Sequence, residues 1–367
     1  MSEPLTDPAV DPLPAGPHID PATEAVTFVV DAAPGVRPLS VWFHLRDFGA
    51  DTGFRPRAGQ WVAQIPRPPV DRMEYLLVVL ADDGGTAMVP DPANPHRAAG
   101  VFGEHSLLEF PGYAEPRWLA EAGGPAWTRQ PLRVEDPGAG ITVAGELCSP
   151  EGPEGEPLPL LVVHDGPEYE RLARLPDYLA WRADQDHALR CHALLLQPIE
   201  RDRSYSASPA YARALIEKAI PHARALAPTV GPIIGLGASL GALALMHAAV
   251  SYPGTFGGLF GQSGSFFLPR FDAHEQRFAY YRRVVDFVER LDAEPARLAV
   301  LQIALTSGLG EENLDNNRAL AARLARRGIN TTHTEGHDGH NYTAWRDLLD
   351  PALGDLLGRV WGIRPGG

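Results

Sequence analysis

From Pro21 to Glu109 the chain alternates short apolar runs with turn formers. VTFVV at 26–30, LSVWFHL at 39–45, QWVAQI at 60–65 and YLLVVL at 75–80 are each bounded by Pro, Gly or Asp. Runs of this length, rich in β-branched and aromatic residues, read as half-buried strands. Together they predict a small antiparallel sandwich over residues 21–111. Pro90-Asp91-Pro92 and Asn94-Pro95 cannot continue a helix or a central strand and mark an extended exit. A linker over 112–130 follows, whose Trp118 and Trp127 are expected to pack between domains rather than to stack on a ligand. The opening stretch MSEPLTDPAVDPLPAGPHID, residues 1–20, is acidic and proline-rich and reads as a disordered tail. It has neither the basic start nor the apolar core of a secretory signal.

Past residue 130 the pattern changes. LPLLVVH at 158–164, CHALLLQ at 191–197, Pro232–Leu236, Gly257–Gln262, LAVLQIAL at 298–305 and Asn330–Thr334 read as strands. Between them fall helical patterns: 169–183 interrupted at Pro176, 209–220 stopped by Pro221, Leu240–Ser251, and 313–327 closed by Gly328. Continuous apolar strands alternating with helices predict an α/β domain over 131–367, its mostly parallel sheet covered on both faces.

Composition narrows the functions. No apolar run reaches the roughly 18 residues a membrane span needs. A net charge of −14 argues against nucleic acid and anionic membranes as partners. An anionic ligand would need a local arginine cluster. Lys218 is the only lysine, which reflects coding bias first and carboxylate or phenolate recognition second. Cys148 and Cys191 fall in apparent strands and need no disulfide, as expected of a reducing, cytoplasmic setting.

One motif carries chemistry. Gly237-Ala238-Ser239-Leu240-Gly241 has the spacing G-x-S-x-G between an apolar strand and an apolar helix, the setting of a nucleophile elbow. Small neighbours permit the sharp turn, and Ser239 would stand at a helix N-terminus with the Leu240 N–H as first oxyanion donor. A serine hydroxyl needs a base, and the base an orienting acid. Both types follow in the order expected of doubly wound hydrolases: Glu311 and Glu312 after the 298–305 strand, His337 and His340 after the last one. Spacing alone does not choose within either pair. His333, His337, Asp338 and His340 also suggest a cation site, but no second cluster completes a ligand set and H-E-x-x-H is absent, so no metal is expected.

G-A-S-L-G-A at 237–242, Q-S-G-S-F at 262–266, G-L-G-E-E-N at 308–313 and G-H-N-Y-T-A-W-R at 339–346 resemble the enterochelin esterase family, in the esterase D-like branch of the α/β-hydrolases. The N-terminal sandwich, ending in D-P-A-N-P at 91–95, resembles that family's early-set, immunoglobulin-like domain, so the likeness covers roughly residues 20–360. The resemblance implies a serine esterase with Ser239 as nucleophile, His340 as base by its spacing to Trp345, and Glu311 as acid. Some relatives work with a Ser–His dyad. One departure stands out: the family's D-G-x after the 158–164 strand supplies a second oxyanion N–H, and here x is Pro167, which has none. Glu168 or Tyr169 would have to replace it. The family's substrate is the lactone backbone of a ferric catecholate siderophore, hydrolysed in the cytoplasm to release iron. By that analogy Arg201, Arg203 and Tyr205, and Arg270 near Phe266 and Phe267, are candidate substrate contacts. No cofactor is implied, and iron would arrive with the substrate. Two alternatives remain: a general aromatic or acyl esterase or acyltransferase with the same triad, and a non-catalytic ligand- or partner-binding protein with a degraded oxyanion loop.

Overall fold

The computed structural model describes residues 12–362 except 34–36, 82, 125, 154, 198, 292 and 294. The chain divides into two compact units. One holds Met1–Ala114 with the short segments Leu309–Glu311 and His337–His340. The other holds Glu115–Gly308, Glu312–Gly336 and Asn341–Gly367.

Among the described residues the first unit contains nine strands: β1 (Gly16–Ile19), β2 (Val26–Asp31), β3 (Pro38–Phe43), β4 (Arg55–Arg57), β5 (Gln60–Ile65), β6 (Arg72–Leu80), β7 (Thr86–Val89), β8 (Arg97–Gly100) and β9 (Gly103–Glu109). They form two sheets, β1-β2-β5-β4 and β3-β6-β9-β8, with β7 also paired to β6. Period-2 patterning turns Val26, Phe28, Ala63 and Ile65 of one sheet, and Val41, Tyr75, Leu77 and Leu108 of the other, into a common core. The D-P-A-N-P exit is buried through its polar residues. Asp91 accepts from the Tyr75 hydroxyl (2.8 Å), and Asn94 donates to Leu107 O (2.8 Å). The tail expectation needs a correction: residues 1–11 lie outside the described residues, but Gly16–Ile19 is a strand paired antiparallel with β2. Once β2 offers its edge, four residues suffice, whatever the composition before them.

The second unit is built on β10 (Trp127–Asp136), β11 (Ile141–Pro150), β12 (Leu160–Val163), β13 (His192–Gln197), β14 (Ile233–Ala238), β15 (Phe256–Gln262), β16 (Gln302–Gly308) and β17 (Asn330–Gly336), in the order β10-β11-β13-β12-β14-β15-β16-β17. The β10–β11 and β11–β13 pairs are antiparallel and all the others parallel. Alternate residues feed two cores: Leu160, Val162, Leu194 and Leu196 pack on one face, Leu161, Val163, Ala193 and Leu195 on the other.

Several local readings are revised. The 112–130 segment contains a helical turn, Trp118–Glu121, and the start of β10. Trp118 is fully buried within the second unit, edge-on to Tyr178 at 5.2 Å, so it packs inside that unit. The 298–305 strand begins only at Gln302. Pro221 does not stop its helix. A π-helical turn over Leu215–Ala219 leads directly into Ile220–Leu226, so the proline lies within a continuous helix just after the widened turn that accommodates its ring and missing N–H. The interruption at Pro176 resolves into two helices, Gly166–Arg171 and Leu175–Gln185, with the proline in the first turn of the second.

Candidate active site

Ser239 directly follows β14 and precedes the helix Leu240–Ser251, with φ 53° and ψ −124°. A non-glycine residue there is strained, and such strain is held only where surrounding bonds determine it. Here the Ser239 N–H donates to Gln262 O (2.8 Å), and the Ser239 carbonyl accepts from Ser265 N–H (3.1 Å). The turn needs its glycines. A Cβ on Gly237 would stand 2.7 Å from the Gly241 carbonyl carbon, and one on Gly241 would stand 3.1 Å from the His164 Cβ. The Ser239 hydroxyl is half-buried, 3.0 Å from the Ser265 hydroxyl, and lines a cavity of about 150 Å³. Leu240, Ser265, Phe267, Phe278, Glu275 and Glu312 also face this space.

Three polar groups absent from the sequence reading support this turn. His164 is fully buried at the end of β12. Its Nδ1–H donates to Gly241 O (2.9 Å), and its Nε2 accepts from the Tyr211 hydroxyl (3.0 Å). Burial pushes the imidazole down to about 4, so it stays neutral and clamps the start of the helix to β12. Asp165, with φ 52°, takes a bidentate pair from Arg201 (2.8 and 2.9 Å). Gln262, fully buried at the end of β15, accepts from the Tyr169 hydroxyl (2.8 Å) and donates to Thr306 (3.2 Å) and to Trp345 O (3.0 Å). Only the H-D-G and Q-S-G-S spellings hinted at these roles.

The segment after β12 bears on the second oxyanion donor. Gly166–Arg171 is a helix, and a Cβ on Gly166 would collide with the Leu195 backbone at 2.5 Å, so only glycine lets the turn sit on β13. The Tyr169 N–H is committed to Asp165 O (3.0 Å). With Pro167 lacking a donor, Glu168 stands in the first turn, where backbone N–H groups have no partner within the helix.

In the other unit, Glu311 stands three residues past β16 and His340 four past β17. Glu311 is fully buried, and its Oε2 lies 3.3 Å from His340 Nδ1. Among the described residues neither Glu311 oxygen accepts a hydrogen bond, so the imidazole compensates this buried carboxylate only when it carries a proton. His337 instead points outward, 64 % exposed, 3.7 Å from Asp71, while Glu312 lines the Ser239 cavity. His333 bonds the Ser307 hydroxyl (3.1 Å). Among the described residues no cluster of His, Cys, Asp and Glu is arranged to hold a metal ion.

Of the suggested substrate contacts, burial removes Tyr205, while Arg203 and Arg270 lie at the surface. Tyr205 is fully buried, stacked on His164 at 4.4 Å, and unavailable to a ligand. Arg203 lines a separate cavity with Arg213 and Arg283. Its guanidinium is engaged by Glu200 (2.7 Å) and Ala139 O (3.0 Å), because the β10–β11 turn packs over its helix. Arg270 is exposed over the Phe271 ring at 4.6 Å, Phe266 is fully buried, and Phe267 alone of that trio faces the Ser239 cavity.

A largely parallel sheet with this strand order and a strained serine turn after its fifth strand defines an α/β-hydrolase, here preceded by an antiparallel β domain. The Esterase family model matches residues 140–356, and the chain belongs to that family and is an esterase. Similar solved structures include the enterobactin esterase of Shigella flexneri in the presence of enterobactin, 19 % identical with TM-score 0.71, covering 95 % of this chain and 96 % of that one. The ferric enterobactin esterase of Salmonella typhimurium is 20 % identical, TM-score 0.72, with the same coverage. A ferulic acid esterase is 14 % identical, TM-score 0.56, covering 65 % of this chain and all of its own. Against curated proteins the chain has no significant sequence match. No helix among the described residues is long and apolar enough to cross a membrane.

Proposed function

We propose that the protein is a serine carboxylesterase in which Ser239 is the nucleophile, His340 the base and Glu311 the acid that orients it. The observation that carries this reading is the conformation of Ser239, held at φ 53° with its hydroxyl in a cavity, in a chain of the Esterase family. Ser239 Oγ attacks the ester carbonyl carbon as His340 takes its proton. The tetrahedral oxyanion is held by the Leu240 and Glu168 N–H groups. It collapses, expelling the alcohol, which receives the proton from His340. Water then repeats the cycle on the acyl-enzyme, releasing the acid and restoring the serine. The imidazole gains positive charge at each transfer, and a buried carboxylate at 3.3 Å stabilises that charge.

For the substrate we propose an aromatic ester, with the lactone backbone of a ferric catecholate siderophore as the first choice. It is supported by the likeness over 95 % of the chain to an esterase whose structure was obtained with enterobactin present. A second reading, a neutral aryl or short acyl ester, is favoured by the cavity itself. About 150 Å³ suits a group the size of one ring, and Phe267, Phe278, Glu275 and Glu312 line it without an arginine. The test is fluorophosphonate labelling of the wild type and of Ser239→Ala, followed by a hydrolysis screen over catecholate lactones, aryl esters and short acyl esters. Loss of labelling and turnover in a folded Ser239→Ala protein supports the mechanism, and turnover retained there removes Ser239 from it. Hydrolysis of aryl esters but of no lactone selects the second substrate reading.

A further inference from the structure

The first compact unit contains the segment His337–His340 together with the strand edge at Asp71 and Arg72. Arg72, the first residue of β6, is 2 % exposed, a rare place for a guanidinium unless it is paired. It is paired twice: Nη1 with Asp338 Oδ2 at 3.1 Å and Nη2 with Glu74 Oε1 at 2.8 Å. Glu74 is bonded in turn by the His105 ring at 2.8 Å. Burial alone would lower the Arg72 pKa, but the two carboxylates hold it above its ordinary value. Burial would also raise the Glu74 carboxyl, and the His105 and Arg72 contacts bring it down instead. Arg72 and Glu74 are therefore ionised, and each has its partners within the cluster. No ester substrate is needed to explain its charges.

The cluster's bonds end on one short loop. Asp338 uses its other carboxylate oxygen to accept the Gly339 N–H (2.6 Å), and its carbonyl accepts the Gly310 N–H (3.0 Å). The Asp71 N–H donates to His337 O (2.7 Å), and the Arg46 N–H donates to Gly310 O (2.6 Å). Gly310 is pressed so closely that a Cβ would stand 2.5 Å from Val70 and 2.9 Å from Leu45. The loops bearing His340 and Glu311 are thus tied to each other and to residues 45–72 of the β-sandwich unit. A base must be held to a few tenths of an ångström, and a loop offers that only when its backbone and side chains are bonded on several sides.

We propose that Arg72 is a positioning residue of the esterase, acting through Asp338 to fix the loop that carries His340. The proposal rests on His340 being the base. The β-sandwich unit is then part of the catalytic machinery for every substrate, small esters included, rather than an accessory to large ones alone.

The test uses the full-length chain and 4-nitrophenyl acetate, an ester too small to depend on distant binding contacts. His340→Ala is measured first, and turnover retained there defeats both the triad reading and this proposal. With His340→Ala inactive, Arg72→Met is expected to lower kcat on the order of 10- to 100-fold, as a misplacement near 1 Å does. KM should stay within about twofold of wild type, and fluorophosphonate labelling of Ser239 should slow in parallel. Arg72→Lys, which retains the charge but not the two-pronged geometry, should recover part of the loss. A purely structural role would lower the melting temperature and leave the turnover of the folded enzyme unchanged. A folded Arg72→Met protein with kcat within twofold of wild type overturns the proposal and leaves the triad standing. If Arg72→Met does not fold, the near-isosteric Asp338→Asn carries the same expectation, and wild-type kcat in that variant overturns it equally.

Discussion

Gly237→Ala tests the central claim about the serine turn. The strand and helix on either side of Ser239 approach until Gly237 touches the Gly241 backbone. An added Cβ would lie 2.7 Å from the Gly241 carbonyl carbon, 2.9 Å from its oxygen and 3.1 Å from the Ala242 nitrogen. Relaxed carbon contacts sit near 3.5–4.0 Å, so the backbone must retreat by most of ~1 Å. All three opposing atoms are main chain, and no rotamer change relieves them. Overpacking of this kind costs about 1–3 kcal/mol. The retreat also displaces a serine two residues away, where an error near 1 Å costs on the order of 10²-fold in rate. Thermal unfolding, fluorophosphonate labelling rate and aryl-ester kcat read the two effects. Gly358→Ala is the control: it lies in the helix Ala352–Trp361, and a Cβ there meets nothing within 4 Å. It should gain about 0.5–1 kcal/mol from helix propensity and leave turnover unchanged. A Gly237→Ala enzyme as stable and as active as wild type would refute the close crossing as the reason for glycine.

Arg201→Met leaves Asp165 charged and 4 % exposed without its bidentate partner, which should destabilise the protein toward the lower end of ~3–5 kcal/mol, because Arg201 itself is 35 % exposed. Since Asp165 begins the turn to Glu168, kcat should fall more than KM rises, and an unchanged kcat would detach this pair from the oxyanion loop. Arg203→Ala should leave KM for aryl esters and lactones within about twofold, because the guanidinium serves Glu200 and the β10–β11 turn, and a large rise in KM would restore it as a substrate contact. His164 and His247 are both pushed down to about 4 by burial, against an ordinary 6.5. The unfolded chain therefore binds more protons between these values, so their stability contribution is complete above pH 6.5 and is lost as pH falls toward 4. From pH 7 to 5 each should cost about 2 kcal/mol, lowering the melting temperature by several degrees, with His247→Leu removing part of the slope. A melting temperature equal at the two pH values would contradict neutral burial.

The strands and the serine turn were legible because their information is local. Strand periodicity at 158–164 and 191–197 and the small residues around Ser239 lie within windows of a few residues, where side-chain pattern and backbone conformation constrain each other directly. The preference for His340 over His337, by contrast, comes only through the family resemblance. The choice between Glu311 and Glu312 was open on spacing alone. Burial separates them: one carboxylate is enclosed against an imidazole, and the other faces a cavity.

Tertiary contact decided the rest. Arg203 and Tyr205 follow a strand end and read as ligand contacts, yet one is consumed by a hairpin turn and the other stacks on His164 in the core. Cys148 reads as lying in a strand, but its partner β10 does not read as one, because an edge strand carrying Arg129, Pro131 and Arg133 lacks the apolar run of its inner neighbours. Most plainly, Arg72 and Asp338 are 266 residues apart, and no local pattern distinguishes either from a surface charge. A sequence specifies which groups can ionise or donate. Which of them lose water, and therefore must find one another, is settled only when distant segments pack and the cost of an unpaired buried charge takes effect.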